Sequence, residues 1–143
     1  MTHYQKLQNM YLSGPINQAT YPSVQIEVSE GKAIMSLEVQ PEYFHAGQSL
    51  HGSVYFKMLD DAAYFAVNSV VTDAFVYTVA FNIQILRPVK SGRIKAVGTL
   101  KFASKNLWVA DAVLYDAKGR EVARGSGNFM KSALLLESVE GYQ

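Results

Sequence analysis

Two adjacent carboxylates, Asp60 and Asp61, sit inside an apolar stretch made of Val54, Tyr55, Phe56, Met58, Leu59, Ala62, Ala63, Phe65, Ala66 and Val67. Just upstream lie His45 and the tripeptide His51-Gly52-Ser53. An ionised carboxylate buried without a partner is costly, so acids usually stay out of such segments. A chain that keeps one there either solvates it at a helix edge or uses it. Used, it is a general base or a nucleophile, and partial burial strengthens it as a base provided it stays ionised. Which of the two holds decides whether this chain is an enzyme.

The pair must be positioned by a long helix, expected from about Leu50 to Val70. Its apolar residues cover most of its surface, the pattern of a buried central helix. Successive helical residues point about 100° apart, so Asp60 and Asp61 cannot serve one site equally. Tyr64, one turn after Asp60, shares its face.

Around the helix the sequence reads as strand. Val24, Ile26 and Val28 alternate with polar residues, and after Glu30-Gly31 the stretch Ala33–Val39 returns as a hairpin. Tyr77, Val79, Phe81, Ile83 and Ile85 are expected on one face of a long strand closed by Arg87-Pro88, which puts Val76, Thr78, Ala80 and Asn82 on the less apolar face. Ile94 to Phe102, Trp108 to Leu114 and Ala123 to Phe129 alternate in the same way, with a turn at Asp116–Gly119. Short connections require antiparallel neighbours. Gly98, Gly125 and Gly127 fall on inward positions, so something bulky must pass close by, and the helix is the expected occupant. Residues 4–13 read as a short helix ended by Gly14-Pro15, residues 15–23 as a loop, and Pro41–Gln48 as another. The expected fold is α+β, five or six antiparallel strands wrapped around one helix, in a single domain over 1–143 with its core at about 24–131.

Composition narrows the function classes. With 49% hydrophobic and 17% charged residues the chain is a folding sequence, and a net charge of +1 gives no electrostatic case for nucleic acid. The absence of cysteine removes thiolate chemistry and Cys-ligated metal, and fits the cytoplasm. No signal peptide and no apolar run of membrane-spanning length is evident. His3, His45 and His51 lack the supporting acids of a metal site, so no metal is expected.

The order His51-Gly52, Asp60, Phe81-Asn82-Ile83-Gln84-Ile85-Leu86-Arg87-Pro88 and Gly125-Ser126-Gly127-Asn128-Phe129 resembles the hotdog-fold acyl-CoA thioesterase superfamily, of the phenylacetate-degradation and 4-hydroxybenzoyl-CoA type. The resemblance covers about Val24 to Phe129. It implies hydrolysis of a small, medium-chain or aryl acyl-CoA, with coenzyme A as part of the substrate and no further cofactor. Asp60 matches the acid that acts as general base or nucleophile. Gly52 matches a backbone N–H at the helix start, which has no intrahelical partner and sits at the positive end of the dipole, where it can polarise a thioester carbonyl.

His45, six residues before His51, stands where such families usually carry Asn or Gln. A His can still hydrogen-bond there, with a pH-dependent charge. Ser53 replaces a second glycine and is suited to hydrogen bonding at the helix start. His51 would fix the loop or line the pocket. Thr78 matches a position that in some relatives orients the attacking water across a dimer interface, and Tyr64 is an alternative helper. Arg87 and Lys90, with Arg93, cluster around the Pro88–Gly92 turn where they could meet coenzyme A phosphates.

A single sheet around one helix leaves a strand edge open, and open edges pair. Pairing the Tyr77–Arg87 strands of two copies gives a homodimer or homotetramer with its site at the interface, Asp60 from one chain and Thr78 from the other. Two further classes stay open. One is a non-catalytic acyl-CoA binding module. The other is a hotdog hydratase or dehydratase, disfavoured because the Asp-x-Asn-Pro-x-His loop is absent. Neither a nucleic acid nor a membrane is an expected partner.

Overall fold

The computed structural model describes residues Met1–Gln143. Helix α1 (His3–Ser13) opens the chain, capped by Thr2 in a reciprocal pair of hydrogen bonds with Gln5. Gly14 ends it, and α2 (Pro15–Thr20) follows at once. The sequence pattern predicts a loop there. Pro15 starts a helix instead, because at the first helical position its missing N–H costs nothing and its fixed φ is already helical.

Strands β1 (Gln25–Ser29) and β2 (Lys32–Glu38) form the expected hairpin, turning at Gly31 with φ of 70°. A 3-10 turn at Pro41–Tyr43 leads through a loop to α3 (Gly52–Asn68). Strands β3 (Ala74–Ile85), β4 (Arg93–Ala103), β5 (Trp108–Tyr115) and β6 (Glu121–Leu135) follow, then a 3-10 turn at Leu136–Ser138. All strand pairs are antiparallel, in the order β1-β2-β4-β5-β6-β3.

Helix α3 packs across one face of this sheet. Met58, Leu59, Ala62, Ala63, Ala66 and Val67 are wholly buried, against inward residues such as Met35, Ile94, Ala96, Ala112 and Leu114. At Gly98 the two backbones touch: a Cβ there would fall 2.1 Å from the Ala62 carbonyl oxygen. Gly125 and Gly127 have a different occupant from the one expected. Built Cβ atoms would meet the Phe81 ring at 2.6 and 2.3 Å, so a neighbouring strand's side chain lies over them. The buried cluster also takes in Leu7, Met10, Tyr11 and Leu136, outside residues 24–131.

Strand β3 departs from simple alternation. Its register against β6 shifts by one residue at Val79, between Thr78↔Phe129 and Ala80↔Asn128. The shift reverses the phase, as one extra residue in a ladder must. Val76 and Thr78 therefore face the helix along with Phe81 and Ile83, whereas Tyr77 and Val79 point out, 56% and 58% exposed. The two sheet edges differ. On β1 the Val28 N–H is taken by Gln8 of α1, at 2.9 Å, while β3 is left uncovered. No helix is long and apolar enough to cross a membrane.

Candidate active site

The start of α3 is built by its own cap. His51 Nδ1 accepts the Ser53 N–H at 3.0 Å and lies 2.8 Å from Ser53 Oγ. This satisfies an N–H that the helix cannot, so His51 and Ser53 serve each other. The Gly52 N–H makes no hydrogen bond and remains free to donate. Gly52 borders a depression of about 420 Å³ together with His45, Tyr55, Ile85 and Arg87. Tyr55 Oη donates to the Arg87 carbonyl at 2.8 Å, fastening the end of β3 to the helix start.

His45 is held inside its own loop. Its Nδ1 accepts the Gly47 N–H at 2.9 Å, which leaves Nε2 to carry the proton, 3.1 Å from Ser49 Oγ. The adjacent Gln48 has φ of 66°, a left-handed conformation in this tight turn. The Arg87 and Lys90 side chains are exposed near this end. Arg93 is engaged elsewhere, donating to Ser36 Oγ at 3.0 Å and to the Ser23 carbonyl at 2.8 Å, and so is not a free phosphate ligand.

Asp60 lies two turns further along α3, and Thr78 Oγ1 donates to its Oδ1 at 2.8 Å. This contact lies within one chain, and the register shift at Val79 allows it by turning Thr78 inward. Burial pushes the Asp60 carboxyl up to about 6; Asp61 adds to this, while the Thr78 hydrogen bond and Lys57 oppose it. A carboxyl raised this far can take up and release a proton close to the neutral range.

Asp61 points elsewhere, as the helical angle requires. It accepts from Lys57 Nζ and from Tyr11 Oη, each at 2.7 Å. Tyr64 packs its ring on Phe65, Phe75 and Phe129, and its buried hydroxyl, near the Val76 backbone, makes no well-formed hydrogen bond. Asp60, Tyr64 and Thr78 border a cavity of about 960 Å³ whose far wall is the α1–α2 elbow, including Tyr11, Ile16 and Asn17. Sequence reasoning does not assign that wall. The signal available is Leu7, Met10 and Tyr11, spaced to share one face of α1.

Asp60 and Gly52 open onto separate hollows. Eight residues of helix put them about 12 Å apart along the axis, and within one chain they do not line a common hollow. Gly52 sits beside Ile85 at one end of β3, and Asp60 beside Thr78 nearer the other.

A family model described as thioesterase superfamily matches residues 47–123, the segment carrying Gly52, Asp60 and Thr78. The chain belongs to the thioesterase superfamily. Solved structures agree on the fold. The PaaI protein of the Escherichia coli phenylacetic acid degradation operon superposes with a TM-score of 0.81 at 24% identity, over 94% of this chain and 99% of that one. A putative esterase of Mycobacterium tuberculosis gives 0.77 at 21% identity, over 83% and 97%. A conserved protein of Pseudomonas aeruginosa gives 0.78 at 20% identity, over 85% and 96%. At such identities the likeness shows the fold alone, and that fold is the hotdog fold expected. No curated protein matches the sequence significantly.

Proposed function

We propose that this superfamily member is an acyl-CoA thioesterase acting on a small, medium-chain or aryl acyl group, as a dimer or a dimer of dimers. The carrying observation is Asp60: half-buried, held by Thr78, and facing a cavity of about 960 Å³. In this reading the Asp60 carboxylate takes a proton from water, and the resulting hydroxide adds to the thioester carbonyl carbon. The Gly52 N–H, at the positive end of α3, stabilises the oxyanion. Collapse breaks the C–S bond, and Asp60 returns the proton to the coenzyme A sulfur, leaving a free acid and a free thiol. Direct attack by Asp60 on the same carbon is the alternative route: it breaks the C–S bond, releases the coenzyme A thiolate to take a proton from solvent, and leaves an anhydride that water then opens to the free acid and Asp60.

The separation of Gly52 from Asp60 supports a site shared between two chains. If the open β3 edges of two copies pair antiparallel about an axis between Thr78 and Ile85, the helix start of one copy comes beside Asp60 of the other. The side-chain phosphate contacts would come from Arg87 and Lys90, exposed at the Gly52 end. The engagement of His45 with Ser49 supports a second reading, acyl-CoA binding without turnover, because its ring is committed to its own loop.

The deciding experiment follows thiol release from a panel of acyl-CoAs, acetyl through medium-chain and aryl, with wild type and Asp60→Asn. Turnover lost in the variant, with fold and assembly intact, is the expected result. Tight binding without turnover would establish the second reading, and turnover untouched by the substitution would remove Asp60 from the chemistry.

A further inference from the structure

The wall of the Asp60 cavity carries three acids, Asp60, Asp61 and Glu140, and one basic side chain, Lys57. Lys57 precedes Asp60 by three residues and Asp61 by four, so both lie beside it on the helix surface. It pairs with Asp61 at 2.7 Å, and the two side chains are only 13% and 19% exposed. Its ammonium also sits over two aromatic rings, 5.2 Å from the Tyr11 centroid and 4.9 Å from that of Tyr21. Tyr11, on α1 and outside the segment matched by the family model, donates its hydroxyl to the same Asp61 oxygen. Little water reaches this cluster, so its charges act at short range through a medium that screens them weakly.

We propose that Lys57 is a positioning residue for Asp60: clamped by Tyr11 and paired with Asp61, it cancels the second negative charge that would otherwise hold the proton on Asp60. Two neighbouring carboxylates resist ionising together, and a cation between them relieves that resistance. The other titratable groups that act on Asp60 are Tyr11 from α1 and Tyr64 from α3, while Tyr21 after α2 packs on Lys57 near Asp61, and Tyr77 from β3 and Glu140 near the C-terminus stand at the cavity border. None of them supplies positive charge. Burial and Asp61 push the Tyr11 phenol far above its ordinary range, so it remains a neutral donor throughout. The N-terminal helix thereby acts on the base at a distance, through Asp61.

The inference rests on Asp60 being the base, and its test reads Asp60 directly as well as through turnover. Carboxyl ¹³C NMR titration of wild type, Lys57→Met, Asp61→Asn and the double variant gives the Asp60 midpoint in each, with a thermal melt as a check of folding. Lys57→Met should raise the midpoint by about one pH unit, the lower end of what a neighbouring charge does. Asp61→Asn should lower it, and the double variant should fall between the two. Lys57→Arg should restore the wild-type value. On an acyl-CoA that is turned over, the acid limb of kcat/KM should move with the midpoint in each variant. Should Lys57→Met fail to fold, Lys57→Gln takes its place, and the same upward shift is expected of it. Midpoints that stay fixed, or move in the same direction in both single variants, overturn the proposal. A chain that titrates as expected but turns over no thioester refutes the hydrolase reading and leaves the charge arrangement standing.

Discussion

Thr78 Oγ1 donates to Asp60 Oδ1 across 2.8 Å within one chain, joining the uncovered edge strand to the central helix at the residue best suited to act as a base. The bond favours the ionised carboxylate and so offsets part of the burial that raises it. Thr78→Val removes the donor and keeps the shape. We expect the acid limb of kcat/KM to move upward, with about a tenfold loss at pH 6 that narrows toward pH 8, where Asp60 ionises regardless. Thr78→Ser should keep most of the wild-type profile. An unshifted profile in the valine variant would show that the bond orients β3 without touching the base.

Asp60 also carries a stability cost with a definite pH signature. Its folded value of about 6 lies above the ordinary carboxyl value of 3.8, so between these the folded state holds the extra proton. Stability therefore falls as pH rises through that window, and the cost is complete above about 6. Asp60→Asn should stabilise the protein by about 1–3 kcal/mol at pH 8, a range reduced for the part of the carboxyl that solvent reaches. The gain should shrink through pH 5 and vanish below 4. Urea unfolding at pH 4 and pH 8 measures both ends, and a variant less stable at pH 8 would contradict the account.

Two glycines that look alike in sequence should behave differently. A Cβ at Gly98 meets the Ala62 carbonyl oxygen at 2.1 Å, backbone against backbone, so Gly98→Ala must separate α3 from the sheet. We expect a loss of roughly 3 kcal/mol or more, enough to leave little soluble protein. At Gly127 the obstacle is the Phe81 ring, at 2.3 Å. Trimming that ring by Phe81→Ala should recover part of the stability lost in Gly127→Ala and nothing of that lost in Gly98→Ala. Thermal melts of the two double variants separate the cases.

The parts of the fold that obey a simple period are legible without any coordinates. Ala33, Met35 and Leu37 alternate into the core, as do Trp108, Ala110, Ala112 and Leu114, and the apolar surround of α3 announces a buried helix. What is not legible comes from events that break a period. The one-residue shift at Val79 leaves no trace in residue types, yet it decides that Thr78 faces Asp60 of its own chain. Pro15 reads as a breaker until it proves to be a first helical residue. The Tyr11–Asp61 bond spans fifty positions, and nothing in local pattern pairs a tyrosine on an N-terminal helix with the second of two acids. The choice of Asp60 over Asp61 comes from the resemblance, through its spacing from His51-Gly52 along one helix, and the structure does place the two acids on different neighbours.

That same distance yields the sharpest test of a shared site. Gly52 is the first residue of α3 and its φ is not positive, so Gly52→Pro suits the helix start, replaces the N–H with a ring methylene and places its added Cβ in ordinary contact with Ile85. Alone, it should fold and lose most turnover, as should Asp60→Asn. If each site takes Gly52 from one chain and Asp60 from its partner, a mixed dimer of the two variants has one site carrying both lesions and one carrying neither. Refolding an equimolar mixture should then restore about a quarter of wild-type activity, since half the dimers are mixed and half of their sites are intact. A charge on the open edge, Val79→Lys, should abolish this rescue by blocking β3 pairing, and sedimentation should then show monomers. Were the site contained in one chain, every mixed dimer would carry a lesion in both sites, and the refolded mixture would be as inactive as its parents.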